Sequence, residues 1–239
     1  MCGRKIYRDE LTAVLEDHRK WLESSGELGT KADLSGRDLS GFNLQQAHLE
    51  RANLEGANLN RANLRTTNFT ETNLKDARME EADIQWAIFL RADLTDACLN
   101  GASLHFSNFS GSDLSRARMQ HVFLHNAYFK EATLESADLR GASFRFTEMN
   151  SANLHGAILS GAVIAVTKMI RADLSEADLS NTEITMSNFD HATLRNALLS
   201  QAYLVKTSFH MADLRGVDFN DSKAESVDFS DARLSYGRN

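Results

Sequence analysis

The sequence predicts an all-β solenoid. Three observations carry the prediction. Large apolar residues recur every fifth position without a slip, a small residue stands two places before almost every one of them, and glycine is confined to one phase of the same repeat. The large residues, here called centres, run from Leu34, Leu39 and Leu44 to Leu234, 41 in all. Of these, 24 are Leu, nine Phe, four Met and three Ile, and only Ala224 is small. Two positions before the centre, 26 residues are Ala and 13 are Ser, Thr or Val; Arg37 and Phe42 are the exceptions.

A period of five is neither the 3.6 of a helix nor the 2.0 of a strand. On a helix these leucines would spread around every side, and on a flat strand successive centres would alternate faces. The pattern closes if each unit forms one short extended segment and then turns a corner. Centre and small residue then point inward, and a narrow interior explains why one of each inward pair is small. Nine of the 13 glycines lie in the repeats, all two residues after a centre, where a corner tolerates a residue without Cβ. The chain has no proline, so no corner uses an X-Pro turn.

Units such as Ala52-Asn53-Leu54-Glu55-Gly56 resemble the pentapeptide-repeat family over residues 32–234. The resemblance implies a right-handed quadrilateral β-helix with four repeats per coil. Side-chain identity supports the number four. Phe69, Phe89, Phe109 and Phe129, then Phe189, Phe209 and Phe229, are separated by multiples of 20, and every centre of the Leu34, Leu54, Leu74 series is Leu. At this count the rod has about ten coils, and at roughly 4.8 Å per layer it is about 50 Å long.

The expected organisation is an N-terminal segment over residues 1–29, a β-helix over 30–235 and a short tail over 236–239. Within the first segment, Asp9 to Glu23 reads as an amphipathic helix with Leu11, Val14, Leu15, His18, Trp21 and Leu22 on one face. It is expected to cap the first coil, since an open coil end is an aggregation hazard. Its mixed polar face is not that of a basic membrane-surface helix. No such helix follows Leu234, so the far end is expected to be capped weakly or by a partner.

Composition excludes several classes. Apolar residues make up 42% and charged residues 25%, ordinary for a folded chain. A net charge of −7 argues against direct nucleic-acid binding through bulk positive charge. No apolar run is long enough to span a membrane, and the first residues lack a secretory signal's apolar stretch. Two cysteines, Cys2 and Cys98, make no disulfide framework, so a reducing, cytoplasmic setting is expected.

No motif for a cofactor, metal or catalytic nucleophile is present, and a smooth rod offers no deep pocket. The expected protein is not an enzyme. His105 and His125, 20 apart, are expected to stack as surface neighbours, and Cys98 is expected to face outward without an activating partner. The regular Asp and Asn before the centres are read as structural, bonding backbone groups of neighbouring coils.

The four sides, labelled by their first centres, differ outside. On the Leu44 side the corner positions hold Trp86, Phe106, Phe146, Val166 and Met186. With Ile88, Phe123 and Tyr128 nearby, they should form an exposed apolar band and a partner-binding face. A rod of this kind would bind a protein partner or pair with a second copy, side by side or through the C-terminal end. The Leu34 side carries ten outward acidic residues, including Asp33, Asp93, Asp113 and Asp213. The family resemblance implies an alternative, since some members mimic duplex DNA, bind DNA gyrase or topoisomerase IV and protect bacteria from quinolones. Here the unbroken register and a modest excess of acidic over basic residues in the repeats weaken that expectation.

Overall fold

The computed structural model describes residues 4–234; Cys2 and the expected tail over 236–239 lie outside the described residues. Every isolated bridge pairs residues 20 apart in parallel, from Asp33 with Asn53 to Ser208 with Asp228. The chain is therefore a quadrilateral β-solenoid of four five-residue sides per coil, about ten coils over residues 32–234. Ladder segments long enough to count as strands are few. β1 (Arg4–Lys5) pairs β2 (Arg37–Asp38) at the first coil. On the Leu44 side, β3 (Ser143–Arg145), β4 (Val163–Ala165), β5 (Glu183–Thr185), β6 (Tyr203–Val205) and β8 (Lys223–Glu225) form one parallel sheet. β7 (Asp213–Leu214) and β9 (Arg233–Leu234) pair on the Leu34 side.

The five-residue unit works because its backbone N–H groups find partners. In the repeat centred on Leu54, Leu54 N–H donates to Asn73 O at 2.7 Å and Gly56 N–H to Lys75 O at 2.8 Å, both on the next coil. Asn53 N–H donates back to Ala32 O at 3.0 Å, and Ala57 N–H closes the turn on Leu54 O at 3.0 Å. The remaining donor, Glu55 N–H, is taken by the Asn53 side-chain oxygen at 3.3 Å. This last bond corrects the expected role of the Asp and Asn array. Their oxygens mostly cap the N–H two residues on, within their own corner, because that group is the one the ladder leaves unpaired. Only where Asx is missing does a side chain of the preceding coil take over, as Asn60 does for Glu80 N–H and Asn100 for Gln120 N–H. Asn side chains also link to the coil before, as Asn58 Nδ2 does to Asp38 at 2.9 Å.

Among the described residues, the corner residue two after each centre is left-handed, with φ from 49° to 76°, which is why glycine collects there. Inside, the predicted aromatic ladder is present. Phe69, Phe89, Phe109 and Phe129 are fully buried and stack with ring centroids 4.8, 4.4 and 4.8 Å apart.

The Leu44 corner changes along the rod. Up to Leu124 the turn is closed by a hydrogen bond that lengthens from 2.9 Å at Ala47 to 3.2 Å at Ala127. From Phe144 it opens into β3–β6, and hydroxyls take over the buried carbonyls. Thr167 donates to Phe144 O at 3.0 Å, and Ser187 and Thr207 do the same for Ile164 O and Ile184 O at 3.3 Å. A run of Ser and Thr at the small position marks this change in the sequence.

α1 spans Arg8–Glu23 and lies over the first coil. It buries Leu11 and His18 and packs Val14 and Leu15 against the core. Both exceptions to the small-residue rule belong here. Arg37 reaches the cap, pairing Glu10 at 2.6 Å and donating to Lys5 O, and Phe42 packs partly buried beside Leu11 and Leu15. The chain returns from α1 through Gly29, at φ 72°, where a Cβ would lie 2.2 Å from Asp17 O. At the other end Leu234 is exposed and Phe229 only partly buried.

His18 fastens the cap to the first coil. Its Nδ1 accepts the Ala32 N–H at 3.1 Å, so the proton sits on Nε2 and the ring is neutral. Burial holds its pKa below the ordinary imidazole range, against a smaller opposing pull from Glu50 and with Lys31 and His48 also nearby. In the unfolded chain the ring binds a proton near pH 6.5. Between that value and the lowered one, the unfolded state holds more protons, so acid removes stability. The melting temperature is expected to fall as the pH drops from 7 to 5. A His18→Gln variant, less stable at pH 7, should show a shallower fall, and an equally steep one would acquit His18.

Candidate partner-binding face

The corner geometry places a corner side chain outside the coil, so its burial depends only on its neighbours. On the Leu44 side those neighbours do not cover it. Trp86 is 50% exposed, Phe106 39%, Phe146 58%, Val166 38% and Met186 57%. They stand one per coil, with Asn126 interrupting the row. Trp86 and Phe106 stack in parallel, centroids 4.1 Å apart, which fixes both rings at the surface. Phe123 and Tyr128 flank Asn126 and are nearly half exposed, and Ile88 is half-buried at the edge of the next side. The structure thus places all eight residues singled out from the sequence along one corner and its margins.

Sequence reasoning did not connect the histidines to this face. His105 and His125 do stack as neighbours, 4.7 Å apart and tilted by 56°, and Phe123 lies 6.2 Å from one and 6.5 Å from the other. His125 Nε2 meets Ser143 Oγ at 3.1 Å. Burial lowers both imidazole pKa values, Asp83 opposing it at His105 and His105 and Arg145 adding to it at His125. Both rings are therefore neutral at pH 7 and belong to the apolar surface. The signal was the phase: both lie one residue after a centre of the Leu44 side, next to the band. Charge is sparse here; Glu148 and Lys168 pair at 2.7 Å beside Tyr128. Other exposed apolar side chains, Ile158, Leu198 and Met211, are scattered on other sides.

One expectation fails. Cys98 is 1% exposed, not outward and accessible. It sits in the ladder between two longer residues, Arg78 and Arg118, with its thiol near Glu80. Among the described residues no group of three or more His, Cys, Asp or Glu is placed to hold a metal ion, and no helix is long and apolar enough to cross a membrane. Open grooves lie beside α1, one of about 570 Å³ lined by Leu11, Leu15 and Phe42 among others.

A capped quadrilateral solenoid of five-residue units, smooth outside except for one apolar corner, defines a class of rod-shaped repeat protein. The sequence model for pentapeptide repeats matches this chain in eight copies between residues 30 and 221, and the chain belongs to the pentapeptide-repeat family. Among solved structures it is similar to HetL, a pentapeptide repeat protein involved in heterocyst differentiation regulation from the cyanobacterium Nostoc sp. strain PCC 7120. The two are 24% identical over 95% of this chain and 96% of that one, with a TM-score of 0.85, and share the fold. QnrB1, a plasmid-mediated fluoroquinolone resistance protein, matches at 15% identity over 86% of this chain and 93% of its own, with a TM-score of only 0.33. No curated protein sequence matches significantly.

Proposed function

We propose that this protein is a non-enzymatic binding rod that presents its Leu44-side apolar corner to a protein partner, in a reducing, cytoplasmic setting. One observation carries the reading: large apolar side chains are aligned and exposed at positions that add nothing to the core. Together the exposed parts of Trp86, Phe106, Phe123, Tyr128, Phe146, Val166 and Met186 amount to roughly 600–700 Å², taking a buried aromatic as 150–250 Å². That exceeds the usual largest patch of a monomer. Burying a patch of this size places the contact at the lower end of specific protein interfaces.

The DNA-mimic alternative has less support. Asp93 and Asp113 hold corner N–H groups, Arg116 pairs Asp96 at 2.7 Å, and Arg195 and Arg215 both hold Asp213. Asn53, Asn73, Thr133, Asn153 and Thr193 interrupt the row, so no continuous negative stripe runs along the Leu34 side.

Affinity capture from the native source is the test. Trp86→Glu/Phe106→Glu is expected to lose the partner, and Asp93→Asn/Asp113→Asn, which keeps both corner caps, to retain it. The reverse pattern would replace this reading with DNA mimicry.

A further inference from the structure

The order of residues along the apolar corner points to its occupant. Two rods can lay band on band through this corner about a two-fold axis. An axis across the rods makes them antiparallel and lays each margin of the corner on its own counterpart, so that Phe123 and the histidines of the two copies meet; an axis along the rods would lay that margin against the Leu49 side. Register follows from the side chains. With the axis at Asn126, Phe106 faces Phe146 of the second copy, Trp86 faces Val166, Phe123 meets its own counterpart, and Asn126 meets Asn126. A primary amide both donates and accepts, so a self-pair satisfies it.

Charge selects the same register. Moving the axis half a coil toward the C-terminal end would set Asp83 against Glu183 and bury Asn126 on Phe146. Moving it the other way would bury Asn126 on Phe106 and leave Met186 facing Gln46. With the axis at Asn126, Asp83 faces Val163, Glu183 faces Asn63 and Arg65 faces Thr185, so no like charges oppose. Complete coverage of the exposed band on two copies would remove roughly 1,200–1,400 Å² of surface, the lower end of what a specific dimer requires. We propose that the protein forms an antiparallel side-by-side homodimer through the Leu44 corner, with its two-fold axis at the coil of Asn126. This names the partner of the binding face proposed above and rests on that reading.

The histidines give the dimer a pH signature. His125 lies on the axis beside Arg145 of its own chain and faces His125 of the second copy. His105, beside Asp83 and His125, faces Arg145 of the second copy. Both rings are partly buried and 4.7 Å apart in one chain, so protonation places like charges along the centre of the interface. Acid should therefore separate the copies.

Sedimentation equilibrium of the full chain is the test, with a Cys2→Ser/Asn126→Cys variant treated with a short bismaleimide. At pH 7.5 and tens of micromolar the mass should be twice that of the chain. Phe106→Arg should raise the dissociation constant at least tenfold, and so should lowering the pH to 5.5, an effect that His125→Gln reduces. The Asn126→Cys dimer should cross-link, and Cys2→Ser/Asn196→Cys, on the Leu34-side corner, should not. A monomer at 200 µM and pH 7.5 overturns the proposal, as does a dimer that cross-links through position 196 and not 126. If the chain is monomeric yet Trp86→Glu/Phe106→Glu still loses a captured protein, the homodimer falls and the binding-face reading stands.

Discussion

Replacing Phe109 by Ala is expected to cost about 3–5 kcal/mol, among the largest losses of any single core substitution along the rod. The ring is sandwiched between Phe89 and Phe129, at 4.4 and 4.8 Å, so its removal takes away both faces of contact at once. The layers cannot close over the gap. Phe89 N–H is held to Asn108 O and Phe109 N–H to Tyr128 O, both at 2.7 Å, and these ladders fix the coil spacing from both sides. Phe109→Leu, which keeps most of the volume, should cost far less. Denaturant unfolding followed by circular dichroism measures both, and equal losses would mean that the stacked ladder is not what holds the middle of the rod.

Removing residues 1–28 is expected to have the second large effect. It strips α1 and β1 from the first coil and uncovers Leu34, Leu39, Leu44 and Leu49, all buried in the intact chain. It also leaves the β2 ladder edge unpaired, an invitation to edge-to-edge association. Soluble yield should collapse or the protein should aggregate. A truncated chain that stays monodisperse with an unchanged melting temperature would show that the first coil needs no cap and that α1 serves another purpose.

The repeat made most of this legible in the sequence because inward and outward positions are set by phase alone. Once Leu34 and Leu39 define the period, Phe109 must point in and Phe106 must point out, only three residues apart. Arg37 and Phe42 broke the rule visibly, yet nothing local says that they answer to a helix about 20 residues earlier. Cys98 was misread for a related reason: phase sets direction, but exposure depends on the length of the residues stacked above and below, here Arg78 and Arg118. The Asx caps were misassigned because an oxygen one residue before a centre can reach either its own corner or the next coil. Which donor is free becomes clear only when the whole ladder is drawn. The histidine pair was found as a stack but not as part of the face, since imidazole counts as polar until burial holds it neutral.

On the reading proposed above, one repeat carries two independent duties, stability inward and binding outward. Phe106 and Phe109 test it within a single coil. Binding and melting temperature should be measured in parallel for Phe106→Glu and Phe109→Ala. Phe106→Glu is expected to lose association with the melting temperature within a few degrees of the parent, and Phe109→Ala to lower the melting temperature sharply. Phe106→Glu that melts as low as Phe109→Ala, or that still associates at the parent's strength, would contradict it.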